Sequence, residues 1–308
     1  MRSIATGMSL RTICRWFGVT RQAYYQHHRA EEIRSIQDDL ILKGVKEIRV
    51  KHRRLGGRKL FEKLQEFFEL HNISMGRDKF FSLLRSNNMT LRRRKRSVTT
   101  TFSRHRFRKY PNLLPGITID GPNQVWVSDI TYWRINTYQH LYVSFITDAY
   151  SRMIVGYHVA ETLEAIETVQ ALVMALATLN KGKVYQITHH SDRGSQYCSD
   201  TYVKLLQVNN IAISMTQSGD PLENAIAERV NGILKQEYLD HYSPTSMVMA
   251  KEILQASVEL YNRDRPHMSL NNQTPFSVHY NNNATIPVRL WKNYYRKSTE
   301  TDANVIQD

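Results

Sequence analysis

Apolar positions follow helical spacing through the first ninety residues and turn into strand-like runs beyond residue 120. In residues 9–25, Leu10, Ile13, Cys14 and Phe17 recur at helical intervals, Gly18 and Val19 interrupt them, and Thr20 is placed to cap a second helix. This spacing predicts a helix-turn-helix or a plain helical hairpin. Residues 33–50 suit one charged helix. A further helix over 58–70 carries Leu60, Phe61, Leu64, Phe67 and Phe68, and another covers 78–85, with Gly56-Gly57 and residues 71–76 as the breaks. The expected organisation is a helix-turn-helix-like DNA-binding unit at 1–38, a second helical unit at 39–96, and a Ser/Thr/Arg/Pro-rich linker at 97–119.

Beyond the linker, β-rich runs lie at 124–135, 141–147, 153–159, 184–190 and 211–216, with helical patterns at 162–179 and 201–209. Three strands precede the first helix. That order predicts an α/β fold with a mixed sheet, hairpins first and parallel crossovers later, flanked by helices on both faces. The domain so defined runs from 120 to 284, and 285–308 form a tail whose Trp291, Tyr294 and Tyr295 have no obvious place.

Charge divides the chain at the same place. Residues 1–115 hold 27 Lys/Arg against 9 Asp/Glu, whereas residues 116–308 hold 15 against 19, within an overall formal charge of +14. A front third this basic is suited to a polyanion, because neutralising phosphates releases condensed counterions. The run Arg92, Arg93, Arg94, Lys95, Arg96 cannot pack and is best used against a phosphate backbone. Two cysteines, Cys14 and Cys198, exclude a disulfide framework and a four-ligand Cys/His zinc site. His189 and His190 are adjacent in a strand-like run and point to opposite faces. No apolar stretch nears the ~20 residues of a membrane span, and the first residues lack a secretory signal, so a cytoplasmic, nucleoid-associated protein is expected.

Three carboxylates carry the chemistry. Asp129 sits in Val-Trp-Val-Ser-Asp-Ile-Thr-Tyr, apolar on both sides, where a charge is costly unless a cation stands beside it. Asp192 closes a strand-like run just before a Gly-containing turn, the place where ligands gather in parallel sheets. Asp220, Pro221 and Glu223 have the spacing of a helix start, with Asp220 as the cap. Along that helix Asn224, Glu228, Asn231 and Lys235 share one stripe, and Ile226, Val230, Ile233 and Leu234 the opposite one. A pair of hard divalent ions in phosphodiester chemistry needs such oxygen ligands converging from separate elements. Asp148, in Thr-Asp-Ala-Tyr-Ser-Arg, is expected to bond Ser151 or Arg152 at a hairpin turn, and Arg263, Arg265 and His267 either touch DNA or buttress the carboxylates.

Four motifs, Trp-Val-Ser-Asp-Ile-Thr at 126–131, His-Ser-Asp-Arg-Gly-Ser-Gln-Tyr at 190–197, Asn-Ala-Ile-Ala-Glu-Arg-Val-Asn-Gly-Ile-Leu-Lys at 224–235 and Tyr-Asn-Arg-Asp-Arg-Pro-His-Met-Ser-Leu at 261–270, occur in this order, followed by Thr274-Pro275. Together they resemble OrfB-type transposases of the IS3 family of bacterial insertion sequences, relatives of retroviral integrases. The resemblance covers residues 120 to about 280. It implies an RNase H-like core with a five-stranded mixed sheet, and Asp129, Asp192 and Glu228 as DDE ligands of two Mg²⁺ (or Mn²⁺) ions. It also implies DNA contacts at Asn224 and Lys235, and Asn231, on the same stripe, is a further candidate for DNA contact. The expected activity is metal-dependent cleavage of DNA at terminal inverted repeats and strand transfer into a target, by a homo-oligomer in a synaptic complex. An upstream-frame OrfA product is an expected partner. The competing readings are a DNA-binding regulator that no longer cuts and a ribonuclease H acting on hybrids.

Overall fold

The computed structural model describes residues 8–91, 106–136, 139–217, 221–280 and 288–289. The chain divides into two units, Met1–Arg93 and Arg94–Asp308. The basic run 92–96, the cap at Asp220 and the tail aromatics Trp291, Tyr294 and Tyr295 lie outside the described residues.

In the first unit, α1 (Leu10–Trp16) is followed by a turn with Gly18 at φ 65°, and Thr20 Oγ1 accepts the Ala23 amide 3.0 Å away to cap α2. The unit boundary expected at 38/39 falls inside a single helix. Helix α2 runs unbroken over Arg21–Lys51, because nothing in that stretch is a Gly or Pro until Gly44, which is there to pack: a Cβ at Gly44 would stand 3.1 Å from Leu64. The 58–70 helix is two pieces, α3 (Gly57–Lys63) and α4 (Gln65–Leu70), broken at Leu64, and α5 (Arg77–Ser86) follows. Ile41, Val45, Leu60, Phe68, Phe80 and Leu84 form its core.

The second unit contains a five-stranded sheet in the order β4-β3-β2-β5-β6, built from β2 (Val125–Arg134), β3 (His140–Asp148), β4 (Ile154–Ala160), β5 (Thr188–Ser191) and β6 (Ala212–Met215). The first three pair antiparallel, and β2–β5 and β5–β6 pair parallel, as expected of an RNase H-like sheet. Parallel pairing requires crossovers, supplied by α6 (Ala165–Ala177) and α7 (Asp200–Val208). A small ribbon of β1 (Thr118–Ile119) against β7 (Val288–Arg289) was not expected from the pattern.

Strand alternation sends Trp126 and Ile146 into a core with α6 and α7, and Trp133, Val143 and Phe145 into a second core under α8 (Ala225–Ile233) and α9 (Met247–Arg263). The short α10 (Pro275–Tyr280) follows. Helix α6 lies unusually close to β4: a Cβ at Gly156 would stand 2.1 Å from the Ala171 carbonyl oxygen. Among the described residues, no helix is long and apolar enough to cross a membrane.

Candidate active site

Register brings the first two carboxylates together. Val125 pairs with Thr188, Trp126 with His189 and Val127 with His190, so the same register carried two residues on sets Asp192 beside Asp129. Even positions of β2 face α6 and α7, and odd positions face α8. Ser128 and His189 accordingly meet on the first side, where His189 Nε2 lies 2.7 Å from Ser128 Oγ and 2.9 Å from Tyr202 Oη. His190 turns the other way, its ring nitrogens 2.8 Å from Ser214 Oγ and 3.1 Å from the Glu223 carbonyl oxygen. Burial pushes the His189 imidazole down to about 3, helped by the charge of His190.

Asp129 faces α8. Its Oδ1 accepts the Ile130 amide at 2.9 Å and its Oδ2 accepts Asn231 Nδ2 at 2.8 Å. Burial raises its carboxyl to about 8; Asp192 and, more weakly, Glu228 add to the rise, while the Ile130 and Asn231 bonds oppose it. Among the described residues no basic side chain pairs with it. A carboxylate pressed by two others and lacking a cation is a donor set that fits a hard divalent ion. Asp192 is half-buried, and its Oδ1 accepts the Gly194 amide at 2.9 Å, which holds the turn after β5. Glu228 is exposed in the first turn of α8. Among the described residues no three acidic, His or Cys side chains stand in a closed metal cluster.

The entry to α8 differs from the expected capping box. Pro221–Asn224 form a 3-10 turn, and α8 begins at Ala225. Glu223 Oε2 accepts the Gln217 amide, so this carboxylate reaches back to the residues just after β6. Both asparagines of the stripe are buried: Asn224 Nδ2 donates to the Ser128 carbonyl at 2.9 Å, and Asn231 reaches Asp129. Both amides therefore fasten α8 to β2, and each side chain keeps a buried Oδ1 without a hydrogen-bond partner. Lys235 is half-buried in a π-helical turn, Leu234–Tyr238.

That turn is anchored by Arg265, which the sequence left ambiguous, and by Trp133. Arg265, 1% exposed, donates from Nε and Nη2 to Glu237 at 2.8 and 2.7 Å, and Trp133 Nε1 donates to the Leu239 carbonyl at 2.9 Å. Burial works against the Arg265 charge, and Glu237 more than offsets it. Asn262 brackets Ile154 through both backbone groups, and Tyr261 Oη donates to the Arg152 carbonyl at 3.0 Å. The 261–270 motif thus buttresses the sheet and the α8 exit. Arg263 is different: it is exposed, with its guanidinium 3.9 Å over the Phe276 ring. Asp148 is fully buried, with bonds from the Asn123 amide at 2.7 Å and from Ser151 N and Oγ at 2.7 and 2.6 Å, the local satisfaction expected of it.

Two family models described as integrase core domain match residues 120–221 and 209–275. A 31 kDa protein of insertion element IS600 from Shigella sonnei is 35% identical over 270 residues, 85% of this chain and 96% of that protein. The transposase for IS629 from the same organism is 33% identical over 174 residues, covering 56% of this chain and 57% of its own. Transposase InsF of Escherichia coli K12 is 34% identical over 154 residues, 48% and 50%. The matches to these two transposases thus span about half of each relative. Among solved structures, the catalytic core domain of HTLV-2 integrase in complex with magnesium aligns at 18% identity and TM-score 0.42, covering 52% of this chain and 98% of that one. The simian T-cell lymphotropic virus intasome aligns at 18% and 0.45, covering 74% and 72%. The chain belongs to the IS3 family of insertion-sequence transposases, enzymes of the DDE type with a retroviral-integrase-like core.

Proposed function

We propose that Asp129, Asp192 and Glu228 hold two divalent ions, Mg²⁺ or Mn²⁺, and that the enzyme cuts one strand at each inverted-repeat end and joins the freed 3′-hydroxyl to target DNA. The observation that carries this reading is the register that sets Asp192 beside Asp129 on the face where α8 presents Glu228. When bound, the ions supply activation of the attacking hydroxyl and stabilisation of the leaving oxygen. The protein's share is alignment: Asn231 orients the Asp129 carboxylate, Asn224 fixes α8 to β2, and the Gly194 amide holds Asp192.

Lys235 contacts the DNA near the cleaved end from the π-turn. Asn231 and Asn224, engaged with β2, act on DNA only through their placement of α8. The helical front unit and the basic run 92–96 bind duplex DNA, as their charge favours. Synapsis of two ends calls for a homo-oligomer, an upstream-frame OrfA product is a further partner, and the site of action is the bacterial nucleoid. The test incubates the full chain and its Glu228→Gln variant with labelled duplex ends and Mg²⁺. Wild type should nick and join, and the variant should bind with near-normal affinity and do neither. Strand transfer by the variant overturns the assignment.

A further inference from the structure

The segment leading into the sheet is expected from its composition to be a linker, yet part of it is built onto the sheet edge. β6 is the last strand of the sheet, and the Met215 amide donates to the Pro111 carbonyl at 3.2 Å while the Leu113 amide donates to Ser214 Oγ at 2.9 Å. Leu114 is buried and Tyr110 packs against the α6/α7 core, so residues 110–114 are fixed in place. The direction of this segment matters. Leu113 lies beside Ser214 and Pro111 beside Met215, so the chain read backwards moves toward the carboxyl end of β6. Met215 in turn pairs with Ser191, the residue before Asp192. Lys109 therefore emerges at the carboxylate edge of the sheet. Burial raises the thiol of Cys198, in the turn after Asp192; the charge of Asp192 adds to the rise, and those of Lys109 and Arg193 oppose it.

Arg106, Arg108 and Lys109 are exposed, and among the described residues none of them pairs with a carboxylate. Arg108 is steadied 5.2 Å over the Tyr110 ring. Three carboxylates repel a phosphodiester, and cations on the adjoining rim offset that repulsion for the stretch of backbone entering the site. We propose that Arg106, Arg108 and Lys109 form a rail for the phosphate backbone of the DNA strand next to the scissile bond. This rests on the strand-transfer reading above and adds to it the path of the substrate. Backbone phosphates carry no sequence information, so the rail grips end and target DNA alike.

The test compares the full-length Arg106→Gln/Arg108→Gln/Lys109→Gln variant with a Lys181→Gln/Lys183→Gln control, whose exposed cations lie before the amino end of β5. Anisotropy titrations of a duplex end over a range of NaCl give the salt slope, and Mg²⁺-dependent nicking gives KM and kcat. The rail variant should lose about 2–3 from the slope of log K against log salt, the value for three phosphate contacts. Its KM for DNA should rise about 10- to 100-fold with kcat within a few-fold, and Arg106→Lys/Arg108→Lys should restore binding. The control should keep the wild-type KM. An unchanged slope and KM in the rail variant, or an equal rise in KM in the control, overturns the proposal. Wild-type protein that nicks no duplex end refutes the enzymatic reading instead, and the salt slope still decides the rail.

Discussion

Replacing Arg265 by methionine keeps an apolar stem of similar length and removes the guanidinium that holds the turn after α8. Arg265 is 1% and Glu237 14% exposed, and two hydrogen bonds of 2.7 and 2.8 Å join them. The substitution strips Glu237 of two charge-assisted hydrogen bonds in a protein interior, and removing one member of a buried pair costs about 3–5 kcal/mol. At about 2–4 °C per kcal/mol for a unit of this size, the melting midpoint should fall by about 6–20 °C. The companion variant, Arg265→Met/Glu237→Met, removes both charges and should recover most of the loss, since a buried pair contributes little net stability over apolar residues of similar volume. Calorimetric melts of wild type, both single variants and the double variant close a thermodynamic cycle. A single variant losing less than about 1 kcal/mol, or a double variant no better than the single, refutes the view that this pair locks the turn.

Other consequences are equally open to measurement. Mg²⁺ at ten times its dissociation constant should stabilise the protein by about 1.4 kcal/mol, seen as an upward shift in the melting midpoint. Asp129→Asn should abolish that shift, and an equal shift in the variant would remove Asp129 from the ligand set. Gly156→Ala forces a Cβ to within 2.1 Å of the Ala171 carbonyl oxygen and should cost about 3 kcal/mol or more; a wild-type urea midpoint would show that α6 retreats freely. His189 titrates near 6.5 when unfolded and about 3 when folded. Acid therefore protonates the unfolded chain first, and stability is intact above pH 6.5 and drains as pH falls toward 3, by up to about 1.4 kcal/mol per unit. Urea midpoints between pH 7 and 4 should decline less steeply in His189→Gln than in wild type, and parallel declines would contradict this.

Asp129 was readable in the sequence because a carboxylate inside an apolar run has few physical excuses, and Asp192 because parallel strands deliver their carboxyl ends to one edge. Glu228 was readable from helical phase, but the phase beyond it was not: the π-turn at Leu234–Tyr238 depends on Arg265 and Trp133, both remote in sequence. The burial of Asn224 and Asn231 was hidden for the same reason, since a polar stripe looks alike whether it meets water or a strand's carbonyls. β5 is shorter than its β-rich run because its partners reach only Val125–Val127 and Ala212–Met215. The 106–114 segment carried no periodicity, so its hydrogen bonds to the sheet edge left no trace in composition. Continuity of α2 was missed because the helix capped by Thr20 and the charged helix over 33–50 were read as separate elements.

That continuity has a mechanical result. At 1.5 Å per residue, α2 is a rod of about 45 Å, and its buried residues, Ile41, Gly44 and Val45, all lie in its second half. Its first half bears the α1 hairpin as a cantilever, with His27 and His28 each one turn before a glutamate, Glu31 and Glu32, along the exposed side. A grip exerted at one end is thus transmitted as torque to the bundle at the other. A Gly-Gly splice at Ser35 and Ile36 would convert the lever into a tether, leaving each end folded but no longer geared to the other.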